Sequence, residues 1–241
     1  NALSSLSLES DFGDLCTIIG KSPAAVPIGY NLIGKDKRVS KFTLVENKAK
    51  DEIMLIVSIC HAVSDGFTYY KILSMLTEGN DVSPLSFRRK HEFTEKMKDA
   101  IGAEEYKLST STGMLLSMLP TMICKSPAYC HARYVDIAKV KRIKDEAISR
   151  ASPSTSFACS TNDILVSTFV QSIPANLVFM AINLRERISI ATNMDAGNYE
   201  SAILYDKKST KNPESVRASL QGGLPFKRFN GDPLPKRLQL L

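Results

Sequence analysis

The chain has 241 residues, 44% of them apolar and 23% charged. That fits one large domain or two small lobes and excludes disorder or a fibrous repeat as its main character. Its 31 basic and 25 acidic residues leave a net charge of +6, too evenly spread and too little interleaved with aromatics for nucleic-acid binding. Such an excess suits an anionic small molecule or a solvated lysine surface. The five cysteines, Cys16, Cys60, Cys124, Cys130 and Cys159, contain no CxxC pair. This argues against a zinc site or a disulfide framework and fits a reducing, cytoplasmic compartment.

In chain order, residues 1–38 read as irregular, broken by Gly13, Gly20, Pro23, Pro27, Gly29 and Gly34. Their start is mixed and polar, unlike a signal peptide. Val39 to Glu46 has strand-type residues in partial alternation, and Asn47 to Asp51 is a polar turn. Glu52 to Cys60 is nearly continuous apolar and β-branched, the pattern of a strand buried on both faces. The two runs predict a hairpin. After Gly66 the period becomes helical, through Phe67, Tyr70, Ile72, Leu73 and Leu76, with Gly79-Asn80 as the end cap.

Residues 81–104 read as a basic loop and a surface helix. Ser109 to Pro127 is low in charge and forms the expected linker between two lobes. Within it, Met114 to Cys124 is the most apolar run, interrupted by Pro120. It reads as a buried segment or as an interfacial one making peripheral membrane contact; it is too short to span. Asp136 then caps a helix through Arg150. Thr161 is the expected cap of a second helix, Asn162 to Gln171, with Asp163 in its favourable first turn. Leu177 to Leu184 and Ala202 to Tyr205 predict strands. Asn212-Pro213-Glu214 predicts a helix start, with a capping Asn and Pro at the first helical position. Strands and helices alternate after position 130, so the expected class is α/β with a mixed sheet.

Three histidines are present, His61, His91 and His131. His91 lies in the charged run RRKHEF and His131 near the lobe boundary. His61 stands where the apolar strand enters a loop, in Cys60-His61-Ala62-Val63-Ser64-Asp65-Gly66. Loops at the ends of buried strands present reactive groups on a rigid scaffold. An imidazole there is suited to general-base chemistry near neutral pH. Asp65 is placed to orient the loop, and Gly66 to allow a backbone turn that a side chain would block. On spacing alone, a strand-end histidine satisfied within the core remains the plain alternative. Cys60 is a second nucleophile candidate, but alternation along the strand turns it away from His61.

The run HAVSDG resembles the HxxxDG active-site motif of the chloramphenicol-acetyltransferase-like superfamily. That group includes the plant BAHD acyltransferases, peptide-synthetase condensation domains and bacterial wax ester synthases. The preceding apolar strand and following helix match the motif's setting. Ser160 to Leu165 resembles the helix start of the second lobe in these enzymes. Val178 to Arg187, followed by Gly197-Asn198-Tyr199, resembles the second-lobe strand, its arginine and the downstream glycine-asparagine. These landmarks cover roughly residues 40–220.

The resemblance implies a two-lobed sandwich with the histidine midway along a channel between the lobes. An acyl-CoA donor enters from one side and an alcohol or amine acceptor from the other; acyl-CoA is a co-substrate, and no further cofactor or metal is implied. His61 is then the general base and Asp65 the structural member of the motif, paired with an arginine: Arg185 first, Arg187 second. Ser64, Thr161 and Asn162 are the implied substrate-binding candidates. The expected division is residues 1–125, the later part of the first lobe, and residues 126–241, a shortened second lobe.

Three departures accompany the match. Cys60 replaces the first histidine of the doubled HH form. The DFGWG loop of the BAHD enzymes is absent, Asp11-Phe12-Gly13 lying at the wrong end. The motif arrives earlier than in two-lobed relatives, which predicts a fragment lacking the start of one lobe and the end of the other. The alternative expectation is a catalytically inactive relative serving as a binding or scaffold module.

Overall fold

The computed structural model describes residues 2–7, 9–114, 116, 134–150, 159–174, 177–221 and 223–226. These fall into two compact units. The first contains the described residues up to Lys90, together with Ala191–Tyr199. The second contains those of His91–Ser126, of Tyr134–Ile190 and from Glu200 onward. The chain therefore divides at 90/91, where 125/126 is the sequence expectation, and a nine-residue return segment rejoins the first unit.

The first unit is built on the expected hairpin. Strands β1 (Ser40–Asn47) and β2 (Glu52–Ile59) pair antiparallel, with Ser40 opposite Ile59 and Asn47 opposite Glu52. Asp51 closes the turn at φ 52°, a left-handed conformation that Asp tolerates better than most residues. Val45 and Ile56 turn to one face and join Leu3, Leu6 and Ala24 in a core cluster. Leu15, Ile18 and Ile19 of helix α1 (Phe12–Lys21) pack on it. Asn47 ties the amino-terminal segment down by donating its side-chain amide to the Leu6 carbonyl at 2.8 Å.

The other face of this sheet corrects the expectation of a strand buried on both sides. Ile53 is 76% exposed and Leu44 is 74% exposed. The core cluster engages only one face of the hairpin, and an apolar run does not encode how many faces find a partner. Helix α2 (Gly66–Met75) follows, capped by the Asp65 carboxylate on the Thr68 amide. Asn80 closes its far end by donating to the Ser74 carbonyl at 2.9 Å, as the Gly79-Asn80 signal predicts.

The return segment Ala191–Tyr199 is clipped to the stretch after α2. The Ser86 amide donates to the Met194 carbonyl at 2.8 Å, and the Ala196 amide to the Ser86 carbonyl at 2.7 Å. The Lys90 ammonium lies 3.2 Å from the Asp195 carboxylate.

The second unit is mainly helical: α3 (Phe93–Ile101), α4 (Ala103–Ser109), α5 (Ile137–Arg150), α6 (Thr161–Ser172) and α7 (Pro213–Gln221). Strands β3 (Val178–Asn183) and β4 (Glu200–Tyr205) pair antiparallel, Val178 opposite Tyr205. The class is α plus β; where a mixed sheet is the sequence expectation, the strands among the described residues form two two-stranded antiparallel sheets. Asp136 caps α5 and Asn212 accepts from the Ser215 amide at the start of α7, both as read from sequence. For α6 the cap moves one residue: Ser160, not Thr161, accepts from the Asp163 amide, and Asp163 returns the bond in a capping box.

Val170, Leu204, Tyr205 and Val216 are buried in this unit. The Tyr205 hydroxyl and Ser219 hydroxyl are 2.6 Å apart. No helix among the described residues is long and apolar enough to cross a membrane. Of the apolar run 114–124, Met114 is buried and Leu116 exposed; the rest lies outside the described residues, as do His131, Cys124 and Cys130.

Candidate active site

The site is assembled from the end of β2. Beyond the strand, the Cys60 amide still donates to the Val39 carbonyl at 2.8 Å. Cys60 is buried and His61 exposed, the opposition that strand alternation demands. The Val63 amide donates to the Cys60 carbonyl at 3.1 Å, turning the chain toward α2.

Asp65 is 2% exposed. One carboxylate oxygen accepts the Thr68 amide at 2.9 Å and the other the Tyr199 amide at 2.8 Å. A carboxylate is favoured there because free amides and the positive end of the helix dipole converge on it. The Asp65 amide donates to the Gly197 carbonyl at 3.0 Å. The Thr68 hydroxyl donates to the same carbonyl at 3.0 Å and accepts the Gly197 amide at 3.2 Å. Gly197–Tyr199 is thus stitched to the motif loop on both sides of Asn198.

Asn198 itself meets His61. Its Nδ2 donates to the His61 carbonyl at 3.1 Å and lies 3.5 Å from the ring Nδ1. This contact is a site feature that the sequence marked only as a glycine-asparagine landmark. Gly197 has φ +154°, and a Cβ there would stand 2.7 Å from the Tyr199 ring. Glycine is therefore required at 197. At Gly66 the expectation is corrected: a Cβ would meet nothing within 4 Å, and the residue has an ordinary helical position. No backbone turn there depends on glycine.

Ser64 is buried, its hydroxyl donating to the Asp65 carbonyl at 3.2 Å. His91 is exposed in the loop before α3. The remaining candidates belong to the second unit. Thr161 is half-buried at the first position of α6, and Asn162 is exposed with its Nδ2 3.8 Å from the Met180 sulfur. Arg185 is buried just past β3, and its backbone amide and Nη1 each reach the Asn183 side-chain oxygen at 3.1 Å. Arg187 is exposed, donates to the Leu220 carbonyl at 3.2 Å and lies 5.5 Å from the Phe226 ring centre. The structure therefore gathers His61, Ser64, Asp65 and Gly66 on one loop with Asn198, while Thr161, Asn162, Arg185 and Arg187 sit in the other unit.

Two charged pairs went unseen in the sequence. Asp163, fully buried, is bound by Arg217 at 2.8 Å from Nε and 2.5 Å from Nη2. Asp195 accepts the Thr192 amide at 2.8 Å and hydroxyl at 3.1 Å besides Lys90. Burial opposes its ionisation, but the Thr192 bonds and the Lys90 charge outweigh this and hold its carboxyl below the usual range. Burial pushes the Tyr205 phenol up to about 12. Among the described residues no three His, Cys, Asp or Glu side chains are grouped to hold a metal ion. Comparisons of the chain with models of known protein families, with characterised proteins and with solved structures find no match.

Proposed function

We propose that the chain is an acyltransferase of the chloramphenicol-acetyltransferase-like kind, moving an acyl group from a CoA thioester to an alcohol or amine, with His61 as general base. In this reading the two units are lobes of the two-lobed sandwich. The observation that carries it is the joining of HAVSDG to Gly197-Asn198-Tyr199. Two stretches that resemble the family independently meet at the motif: Tyr199 on the Asp65 carboxylate, Asn198 on His61. Asp65 is inward and fully engaged while His61 is exposed, the division of labour that a structural carboxylate and a working base require.

In the reaction, the acceptor O–H or N–H gives its proton to the His61 imidazole as the oxygen or nitrogen attacks the thioester carbonyl. The tetrahedral intermediate collapses by breaking its C–S bond. The CoA thiolate leaves and takes the proton from the imidazolium. No covalent enzyme intermediate forms, because donor and acceptor are held together. Thr161 and Asn162 are proposed for substrate contact. Ser64 acts within the loop, through its bond to the Asp65 carbonyl.

The test is release of free thiol from acyl-CoA donors of short to long chain, with and without mixed alcohol and amine acceptors. Wild type and His61→Ala are compared after circular dichroism shows both folded. Acceptor-dependent release that falls at least about 100-fold in His61→Ala is expected. Release that persists in that variant, or a folded wild type that releases none with any donor and acceptor, overturns the proposal.

A further inference from the structure

The return segment is one of two supports of the His61 loop. The other is the stretch that follows α1. Its start is fixed by Ala24, buried in the core cluster, and by the Val26 amide, which donates to the Ser58 hydroxyl of β2 at 2.9 Å. Its end is fixed by a short 3₁₀ turn, Gly29–Asn31, with the Asn31 amide on the Ile28 carbonyl and the Leu32 amide on the Gly29 carbonyl, both at 2.9 Å. Gly29 stands between these anchors and lies against the loop. A Cβ on it would be 2.9 Å from the Ala62 Cβ, 3.5 Å from the Cys60 Sγ and 4.0 Å from the Ala62 Cα. The φ of Gly29 is outside the left-handed region, so its own backbone does not ask for glycine. The close approach of the two stretches does. The Ala62 Cβ is fixed to its backbone and cannot turn aside, so two methyls 2.9 Å apart separate only when a backbone shifts. Cys60 and Ala62 are the residues on either side of His61.

We infer that Gly29 is a positioning residue of His61, the seat on which the loop rests through Ala62. The catalytic half of this inference rests on His61 being the base proposed above. The loop is held by Asn198 at the His61 carbonyl and by Tyr199 at Asp65, and Gly29 bears on the residue between those two points. A general base works only within hydrogen-bond reach of the proton it takes. A side chain at 29 moves Ala62, and His61 with it, while the surfaces that bind donor and acceptor elsewhere keep their places. The rate of the chemical step then falls and binding does not.

The test is a swap of one methyl group across the contact, in the full chain. In the thiol-release assay Gly29→Ala is expected to lower kcat about tenfold to 100-fold with KM changed less than about twofold. In an Ala62→Gly background the same change is expected to cost less than about threefold, because the atoms then nearest, the Cys60 Sγ and the Ala62 Cα, are at ordinary contact distance. The His61 ring is followed separately, with carbon-13 histidine and its signals identified with His61→Gln. Those signals are expected to move in Gly29→Ala, and to coincide in Ala62→Gly with and without Gly29→Ala. The His91 signals, from the other unit, stay in place throughout. Three outcomes overturn the inference: His61 signals unmoved in Gly29→Ala, a displacement that Ala62→Gly does not relieve, or a Gly29→Ala chain that circular dichroism shows unfolded. The ring signals need no turnover. If no form of the chain transfers an acyl group, the acyltransferase reading fails and the signals still decide whether Gly29 seats the loop. Full transfer by Gly29→Ala overturns only the role of Gly29.

Discussion

The backbone amide of Tyr199 donates to the carboxylate of Asp65 at 2.8 Å across 134 positions of sequence. This bond and the Thr68 amide satisfy both oxygens of a carboxylate that is 2% exposed. Asp65→Ala strands both amides and removes the cap of α2, and is expected to cost about 2–4 kcal/mol. Asp65→Asn keeps one acceptor and turns an NH2 group toward an N–H, so it falls between. Urea midpoints check the order; an unchanged midpoint for Asp65→Ala contradicts it.

Two glycines of the same site should respond in opposite directions. Gly197→Ala puts a methyl 2.7 Å from the Tyr199 ring at φ +154°, and is expected to lower stability by more than about 1 kcal/mol. Gly66→Ala enters open space at the start of a helix. It should leave stability equal or raise it by up to about 1 kcal/mol. Thermal melts of the pair, run side by side, settle the matter; equal losses would contradict the assigned geometries.

Asp195 supplies a pH dependence. Its folded pKa lies below the ordinary aspartate value, so the folded state binds fewer protons than the unfolded one in that range. The contribution is fully present above the unfolded value, and is lost as pH falls from about 4 through the lower folded value. Asp195→Asn should flatten the acid limb of stability against pH. Lys90→Met should make the loss smaller and complete it at higher pH, since the Lys90 ammonium, 3.2 Å from the carboxylate, helps to lower the folded value. Denaturation series between about pH 2 and 6 read both; superimposable acid limbs would refute the assignment.

In the second unit Arg217 is the charge partner of a fully buried Asp163, whose other oxygen is buried without a hydrogen bond. Arg217→Met leaves that carboxylate uncompensated and is expected to cost about 3–5 kcal/mol. Adding Asp163→Asn should recover part of the loss. Denaturation midpoints of the single and double variants give the coupling, and additive losses would show that the pair is not the reason.

What the sequence made legible was local. The hairpin, the Asp136 and Asn212 caps and the strand entering the His61 loop all depend on residues a few positions apart. The shift from Thr161 to Ser160 as cap is within that reach too, because Ser160 and Asp163 form a capping box readable from spacing. The partnerships across the chain were not legible. Arg217 lies 54 positions from Asp163 and Lys90 105 from Asp195, and nothing in either neighbourhood specifies the other. Asn198 is the intermediate case. Its glycine neighbour signalled a special backbone, while the residue it reaches became visible only once the loop was folded. The apolar run of β2 signalled a strand correctly, but hydrophobicity alone does not count the faces that will be covered.

That uncovered face has a practical consequence. Phe42, Leu44, Ile53 and Leu55 are 51%, 74%, 76% and 43% exposed on neighbouring positions of a two-stranded sheet. An exposed apolar surface on such a sheet favours association between chains as concentration rises. Lysine at Leu44 or Ile53 would place a charge on this surface without touching Val45 or Ile56 on the packed side. Such variants should remain in solution at concentrations where the parent scatters light, with the His61 loop unaltered.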